Sequence, residues 1–487
     1  MRYLSIIALS LIASCSFGQS NFDKSKITIA TNKIVTKIVK VNELMGSAVY
    51  YEGIRPKQYD NFIQLKETAN QSELIELTNH PNGVVRCYSF WALSYRNSID
   101  LYPLIINHIG DDESVNTQFG CIGGSEKVGD FFINVATAQY VDLDSKKLQP
   151  RELANLDSIL IFVPNNLASK SAAILRAKPS ESLYQKIREL VVINHDQSAL
   201  VSLAKYQKRQ DIDLILKNRE KSEFVNGGYF FTYQTISLFP QPEFLPLLEN
   251  NLMKTLEDTH YSTEWRELYK AIASFKNQRA VELLRVPLTQ VKHQDIKKYH
   301  IDFVFSAVQY FKDPIYDDLL WTLWADEKRV TPDVFIYLAN RDSQRAYELT
   351  KKNLLNSDDL SGAFLSFDES NSGNITELML NTVLQQDREL GLEILRKGLT
   401  GAGVSEFQLF ASKAAGIKDS SFIEPLFERL GKEWNAHIYL KVAETLISFN
   451  DPEINRRILE TRSKNSNLRK DWGGKAFDTL LEKHGIE

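Results

Sequence analysis

The chain has 487 residues, 43% of them hydrophobic and 25% charged, with 58 basic against 62 acidic residues and a formal net charge of −4. That balance excludes the basic excess of a nucleic-acid binder and the acidic tail of a disordered solvating segment. The length is enough to bury a large core, as about two to four ordinary domains or as one long array.

The N-terminal stretch MRYLSIIALSLIASCSFGQS starts with Arg2 and runs apolar from Tyr3 to Ala13, too short for a permanent membrane span. Residues 1–18 therefore read as a secretory signal, and the mature protein is expected to be exported. Two cleavage readings compete. Ile12-Ala13-Ser14-Cys15 resembles a bacterial lipobox, which implies lipidation of Cys15 and a membrane-anchored lipoprotein; Ser16 and Gly18 equally suit ordinary cleavage before Gln19 and a free periplasmic protein. The cysteine directly after the apolar run favours lipidation. Past the signal, only Cys87 and Cys121 remain, which is no disulfide framework. They are expected as buried free thiols, with pairing left open.

Residues 19–56 form a separate N-terminal segment. KITIATNKIVTKIVKV is β-branched and suits an extended strap or a frayed helix, and MGSAVYYEGIRPKQY reads as loop because Gly46, Gly53 and Pro56 interrupt it. From residue 57 the pattern becomes helical, and strand-like alternation is scarce. A first helical block spans 57–142. It contains ELIELTNHPNGVVRCYSFWAL, in which leucines at helical spacing lead to a polar turn with Pro81 and then to a second helix opened by Val85-Arg86. The glycine-rich GCIGGSEKVGDFF at 120–132 departs from the pattern without matching a phosphate loop. Its glycines are expected either to relieve close helix packing or to leave backbone open for a partner, and Gly123, Gly124, Glu126 and Lys127 are the candidate binding residues there. Residues 143–150, polar and closed by Pro150, read as a linker.

The second block, 151–487, is periodic. LAKYQKRQDIDLIL, ISLFPQPEFLPLL, IASFKNQRAVELL, VQYFKDPIYDDLL, AAGIKDSSFIEPLF and LISFNDPEINRRIL each join a helix end, a large apolar residue, a polar turn and a new helix start. With WALSYRNSIDLYPLI from the first block, the apolar anchors are Tyr95, Tyr206, Phe239, Phe275, Phe311, Ile417 and Phe449. From Tyr206 to Phe311 and from Ile417 to Phe449 neighbours lie 32 to 36 residues apart, and the longer gaps are near multiples of that period, 144 from Tyr95 to Phe239 and 106 from Phe311 to Ile417. Nine positions after each anchor stands an aliphatic residue: Leu104, Ile215, Leu248, Leu284, Leu320, Leu426 and Ile458. Asp313-Pro314, Thr331-Pro332 and Asp451-Pro452 place a capping side chain before a proline, and Ser182 with Gln185 suits a capping box.

A period in the mid-thirties built of two helices predicts an all-α fold, an α-solenoid of stacked antiparallel helix pairs. The stretch from Glu73 to Leu93 resembles a HEAT-type repeat, and Pro103-Leu104, Pro246-Leu247 and Pro425-Leu426 resemble the proline that bends the first helix of such repeats. The resemblance implies that Arg86 pairs with an acid in the turn, one rung of a ladder along the array; Arg86 is also a candidate binding residue. It is clearest over 73–105 and 414–459, and the Val-Arg pair is missing from the other repeats.

Catalytic motifs are scarce. None of the eight histidines forms a zinc-protease motif, and there is no nucleophile elbow. Cys87 with His80, about two helical turns apart, is a weak dyad and reads as helix packing. Asp368, Ser370, Ser372, Gly373, Asn374 and Ile375 follow the start of a calcium loop, but Met379 stands where the bidentate glutamate belongs, so a plain polar loop is expected. The aromatic clusters YFFTY at 229–233 and WTLW at 321–324 read as core before they read as groove lining. No cofactor or metal is expected. The expected function is an exported scaffold or adaptor that binds a protein or peptide of the cell envelope along a concave surface, without catalysis. The alternative is an envelope hydrolase or lyase with its site in the groove.

Overall fold

The computed structural model describes residues 22–137, 144–217, 228–356 and 374–486. The signal segment, with Cys15, lies outside the described residues, as do positions 368–373 of the calcium-like loop. The described chain is predominantly helical, with one small three-stranded sheet, and it divides into two compact units, Met1–Phe239 and Pro240–Glu487. Among the described residues no helix is long and apolar enough to cross a membrane.

In the first unit the N-terminal segment is more regular than a strap or loop. Helix α1 (Ile29–Val41) packs on α2 (Lys57–Thr68) and on α4 (Gly83–Leu93), and between them Leu44–Val49 forms strand β1. The glycine read as a loop signal, Gly46, sits inside β1 because Phe119 lies against it, 2.9 Å from where a Cβ would be. Tyr88 of α4 fixes β1: its hydroxyl accepts the Met45 N–H at 2.8 Å and donates to the Met45 carbonyl at 3.0 Å. Helix α3 (Gln71–Leu77) secures the chain start. Glu73, in a capping box with Asn70, accepts the Thr28 N–H, and Glu76 accepts the Asp23 N–H. Phe62, Tyr88 and Trp91 stack at the centre of this region.

After α5 (Tyr102–Asn107) come strands β2 (Ser114–Gly120) and β3 (Ile122–Lys127), so the glycine-rich stretch is a β-hairpin and not an irregular helix. The sheet order is β1-β2-β3, with β1 parallel and β3 antiparallel to β2. Phe119 pairs with Ile122 across a two-residue loop; Gly120 has φ +58° and Cys121 does not share the left-handed conformation, the pattern of a II′ turn. The Gln118 side chain lies over Gly123, its amide oxygen 2.8 Å from where a Cβ would be. The unit continues through α6 (Val128–Thr137), α7 (Pro150–Phe162), α8 (Ser169–Arg176), α9 (Glu181–Asn194), α10 (Gln197–Ala204), α11 (Ile212–Lys217) and α12 (Phe230–Leu238). Helix α10 packs on both α8 and α12.

The second unit holds α13 (Leu245–Thr255), α14 (Glu264–Ala273), α15 (Gln278–Gln290), α16 (Gln294–Phe311), α17 (Asp317–Glu327), α18 (Pro332–Arg341), α19 (Ser343–Asn356), α20 (Ile375–Gln386), α21 (Arg388–Gly401), α22 (Val404–Ile417), α23 (Ile423–Lys432), α24 (Ala436–Ile447), α25 (Pro452–Lys464) and α26 (Asp471–Lys483). Most successive helices pack on each other, from α13 on α14 through α21 on α22 and then α23 on α24 and α24 on α25, and next-but-one helices also meet: α14 on α16, α18 on α20, α21 on α23, α22 on α24, α23 on α25 and α24 on α26.

The sequence period has a physical basis. The aliphatic position nine after the anchor is buried in every repeat but the first, where Leu104 is half-buried and the following residue, Ile105, takes the core place. A second buried position lies five after the anchor: Asp211, Phe244, Ala280, Tyr316, Phe422 and Ile454. Positions five and nine are four residues apart, one above the other on a helix face. Four of these second helices are entered through a tight 3₁₀ turn: Arg209–Asp211, Pro242–Phe244, Pro314–Tyr316 and Ser420–Phe422. Asp313, Thr331 and Asp451 cap as expected, whereas the cap of α9 is Ser180 rather than Ser182. Pro103, Pro246 and Pro425 fall in the first turn of their helices, where the missing N–H is not needed, so they open the second helix of a pair and do not bend the first. Trp321, Trp324 and Tyr233 are buried, as core aromatics should be, whereas Tyr229, Phe230 and Phe231 are only half-buried. Met379 is fully buried on α20, and Asn374 caps that helix.

Candidate functional site

The hairpin and the helices beside it form a cleft of about 460 Å³, and Ser125, Glu126, Lys127, Asp130, Asn134 and Ser169 are among its lining residues. Strand β3 brings Glu126 and Lys127 in from one side, α6 supplies Asp130 and Asn134, and the start of α8 supplies Ser169. Asp130 is buried and shapes the wall. Its two oxygens accept the N–H groups of Ala168 (2.9 Å) and Ser169 (2.8 Å), and the Ser169 hydroxyl donates to it at 2.7 Å. A carboxylate from a distant helix thus satisfies the open N-terminus of α8, which has no side-chain cap of its own.

Glu126 is half-buried and accepts a hydrogen bond from the Asn134 amide. Burial pushes its carboxyl above the usual range; the Asn134 hydrogen bond opposes this, and the negative charge of Asp130 adds to it. Lys127 donates to the Asn166 carbonyl and ties β3 to the loop before α8. Arg176, also lining the cleft, is bidentate to Asp157, with contacts of 2.6 and 3.1 Å. Two acids and two bases therefore face one space, each with a partner.

Of the sequence candidates, Glu126 and Lys127 meet in this cleft, while Gly123 and Gly124 lie on the exposed part of β3 that leads to it. Arg86 is elsewhere. It is 2% exposed, and its guanidinium donates to the carbonyls of His80 and Pro81, to Asp111 (3.0 Å) and to Glu113 (2.5 Å). An arginine so enclosed holds the turn together and offers no surface to a partner, a correction to its expected binding role. Asp111 also accepts from His108 at 3.1 Å; burial would raise its carboxyl, but His108 and Arg86 outweigh burial and hold it below 3.8.

Cys87 is buried, and burial pushes its thiol well up, so no thiolate is available. His80 is lowered by burial and by the Arg86 charge, and its Nδ1 accepts the Asn82 N–H. Cys121 is exposed at the hairpin turn, contrary to the expectation of a buried thiol, and both cysteines are free. Asp130, Asn134 and Ser169 were not legible as site residues. Asp130 and Ser169 lie 39 residues apart in sequence, and nothing local marks their contact.

No family model matches the chain, and neither a curated protein nor a solved structure shows significant similarity to it.

Proposed function

We propose that this is an exported helical-repeat scaffold, a HEAT-like α-solenoid, that captures an extended segment of an envelope protein at the hairpin of its first unit. One observation carries the reading: β3 is the edge strand of its sheet, residues 122–125 are exposed, and its inner end runs into the cleft of Glu126 and Lys127. An exposed strand edge can be extended by a peptide through main-chain hydrogen bonds, and neighbouring pockets then select side chains. Gly123 and Gly124 let a partner backbone approach closely. The mixed charge of the cleft suits a polar peptide. Export and a lipid anchor at Cys15 belong to the same reading, and Cys15→Ala should release the protein from the membrane fraction if the anchor exists.

The test is a photocrosslinker placed at Ser125 in cells, with Arg456 on α25 as the control position. A discrete adduct at Ser125 and none at Arg456 is expected, and the crosslinked partner segment, made as a peptide, should slow amide exchange across 122–127. Unchanged exchange in those residues would refute strand addition. The second reading, a hydrolase or lyase in the same cleft, is favoured by the raised carboxyl of Glu126, a property of general acids. It requires that Glu126→Gln abolish turnover of a substrate while leaving its binding intact.

A further inference from the structure

The chain has six tryptophans. Trp91, Trp265, Trp321 and Trp324 are at most 4% exposed, whereas Trp434 is 75% and Trp472 is 56% exposed. These two outliers line one cleft of about 360 Å³ in the second unit, between the loop that joins α23 to α24 and the start of α26. From this we infer that the cleft is a binding site for a neutral saccharide, whose ring stacks on the indoles of Trp434 and Trp472.

The loop that presents Trp434 is rigidly built. Glu433, 6% exposed, accepts the N–H groups of Trp434 (3.0 Å) and Asn435 (2.9 Å), and Arg429 holds the same carboxylate at 2.6 Å. Arg429 also donates to the carbonyls of Thr400 and Ala402. The Asn465 amide donates to the carbonyls of Leu430 and Glu433. The backbone is therefore fixed by buried polar groups while the indole stands in solvent, an arrangement that lowers the ordering cost of binding. On the other wall, Trp472 packs beside the His437 ring, with centroids 5.2 Å apart. Gly473 allows this wall to sit close to α24, since a Cβ there would fall 2.0 Å from the Tyr439 hydroxyl.

The ligand class follows from the lining. Indole faces carry negative potential and attract the polarised C–H groups on the flat side of a pyranose ring. Hydroxyls around the ring edge need donors and acceptors in fixed places, and the amides of Asn435 and Asn467 with the imidazole of His437 supply both. Lys470 and Asp471 are adjacent and balance each other, so the cleft has neither the acidic surplus that a quaternary ammonium cage would use nor the basic surplus that stacked nucleotides require. Five polar side chains also argue against an apolar peptide. The volume lies at the small end of ligand pockets, which run from about 300 to 1,000 Å³, and suits one or two sugar rings.

The experiment titrates the full mature protein with chitotriose, cellotriose, maltotriose and mannotriose, reading heat and indole emission. At least one is expected to bind with a shift in emission, and Trp434→Ala and Trp472→Ala should each weaken it by about tenfold. Both side chains are exposed, so the variants should keep the wild-type melting temperature, and Tyr310→Ala, at an exposed ring elsewhere in the unit, should bind normally. Binding of none of the four sugars, binding that survives the double tryptophan variant, or binding of tetramethylammonium in their place would each overturn the inference.

Discussion

Single buried polar residues set the chemistry of this chain more than surface charge does. His300, fully buried on α16, stacks on Trp265 at 4.1 Å and shares a 2.6 Å hydrogen bond with the Tyr269 hydroxyl, both on α14. Burial lowers its pKa from 6.5 to about 4. The folded state thus resists a proton that the unfolded chain accepts, so stability is fully present above pH 6.5 and falls as the pH drops towards 4. Over that window this one group should remove about 3 kcal/mol. Asp111, held below 3.8, has the same sign but acts at lower pH, where protonation breaks its contacts with Arg86 and His108. His300→Phe keeps a ring against Trp265 and deletes the titration. Urea midpoints measured from pH 7 to pH 4 should therefore fall less steeply for the variant than for the wild type. Equal slopes would show that His300 is not held neutral.

At the scale of elements, close approach between helices is decided by small residues at particular places. In α26, a Cβ on Gly473 would meet the Tyr439 hydroxyl of α24 at 2.0 Å and Ala436 at 2.7 Å. Gly473→Ala should therefore destabilise the protein by about 1–3 kcal/mol, the usual penalty for overpacking, despite the better helix propensity of alanine. Removing the hydroxyl with Tyr439→Phe should restore part of the loss, seen as a favourable coupling in a double-mutant cycle of melting temperatures. Helix starts such as Thr331-Pro332 were legible in the sequence because capping is local chemistry. So was the buried face nine residues after every anchor but Tyr95, because helical spacing repeats. The hairpin was not, although Gly120-Cys121 is a two-residue turn signal, because Gly123, Gly124 and the polar residues around them carry little strand propensity. Its strands are held by contacts made elsewhere: β2 pairs with β1 from the N-terminal segment, and Lys127 is tied to the Asn166 carbonyl. Half of the candidate cleft was legible for the same reason. Glu126 and Lys127 stood out as charges after glycines, whereas Asp130 and Ser169 meet only through folding.

Across the whole molecule, the principal helix contacts join elements one or two places apart in the chain, and the chain divides into two compact units. Contacts so local in sequence make long-range cooperativity weak and let separate parts unfold separately. Heating should therefore give more than one transition, with a calorimetric enthalpy above the van't Hoff value. Variants assign the transitions. Arg86→Ala strips a buried carboxylate, Asp111, of its charge partner and should cost about 3–5 kcal/mol in the first unit. Gly473→Ala acts in the second. Each variant is expected to lower one transition and leave the other in place, because the hydrogen-bond partners of Arg86 are His80, Pro81, Asp111 and Glu113 and the neighbours of Gly473 are Ala436 and Tyr439. A single two-state transition that moves equally with both variants would mean that the chain melts as one body, and the division into two units would then have no energetic meaning.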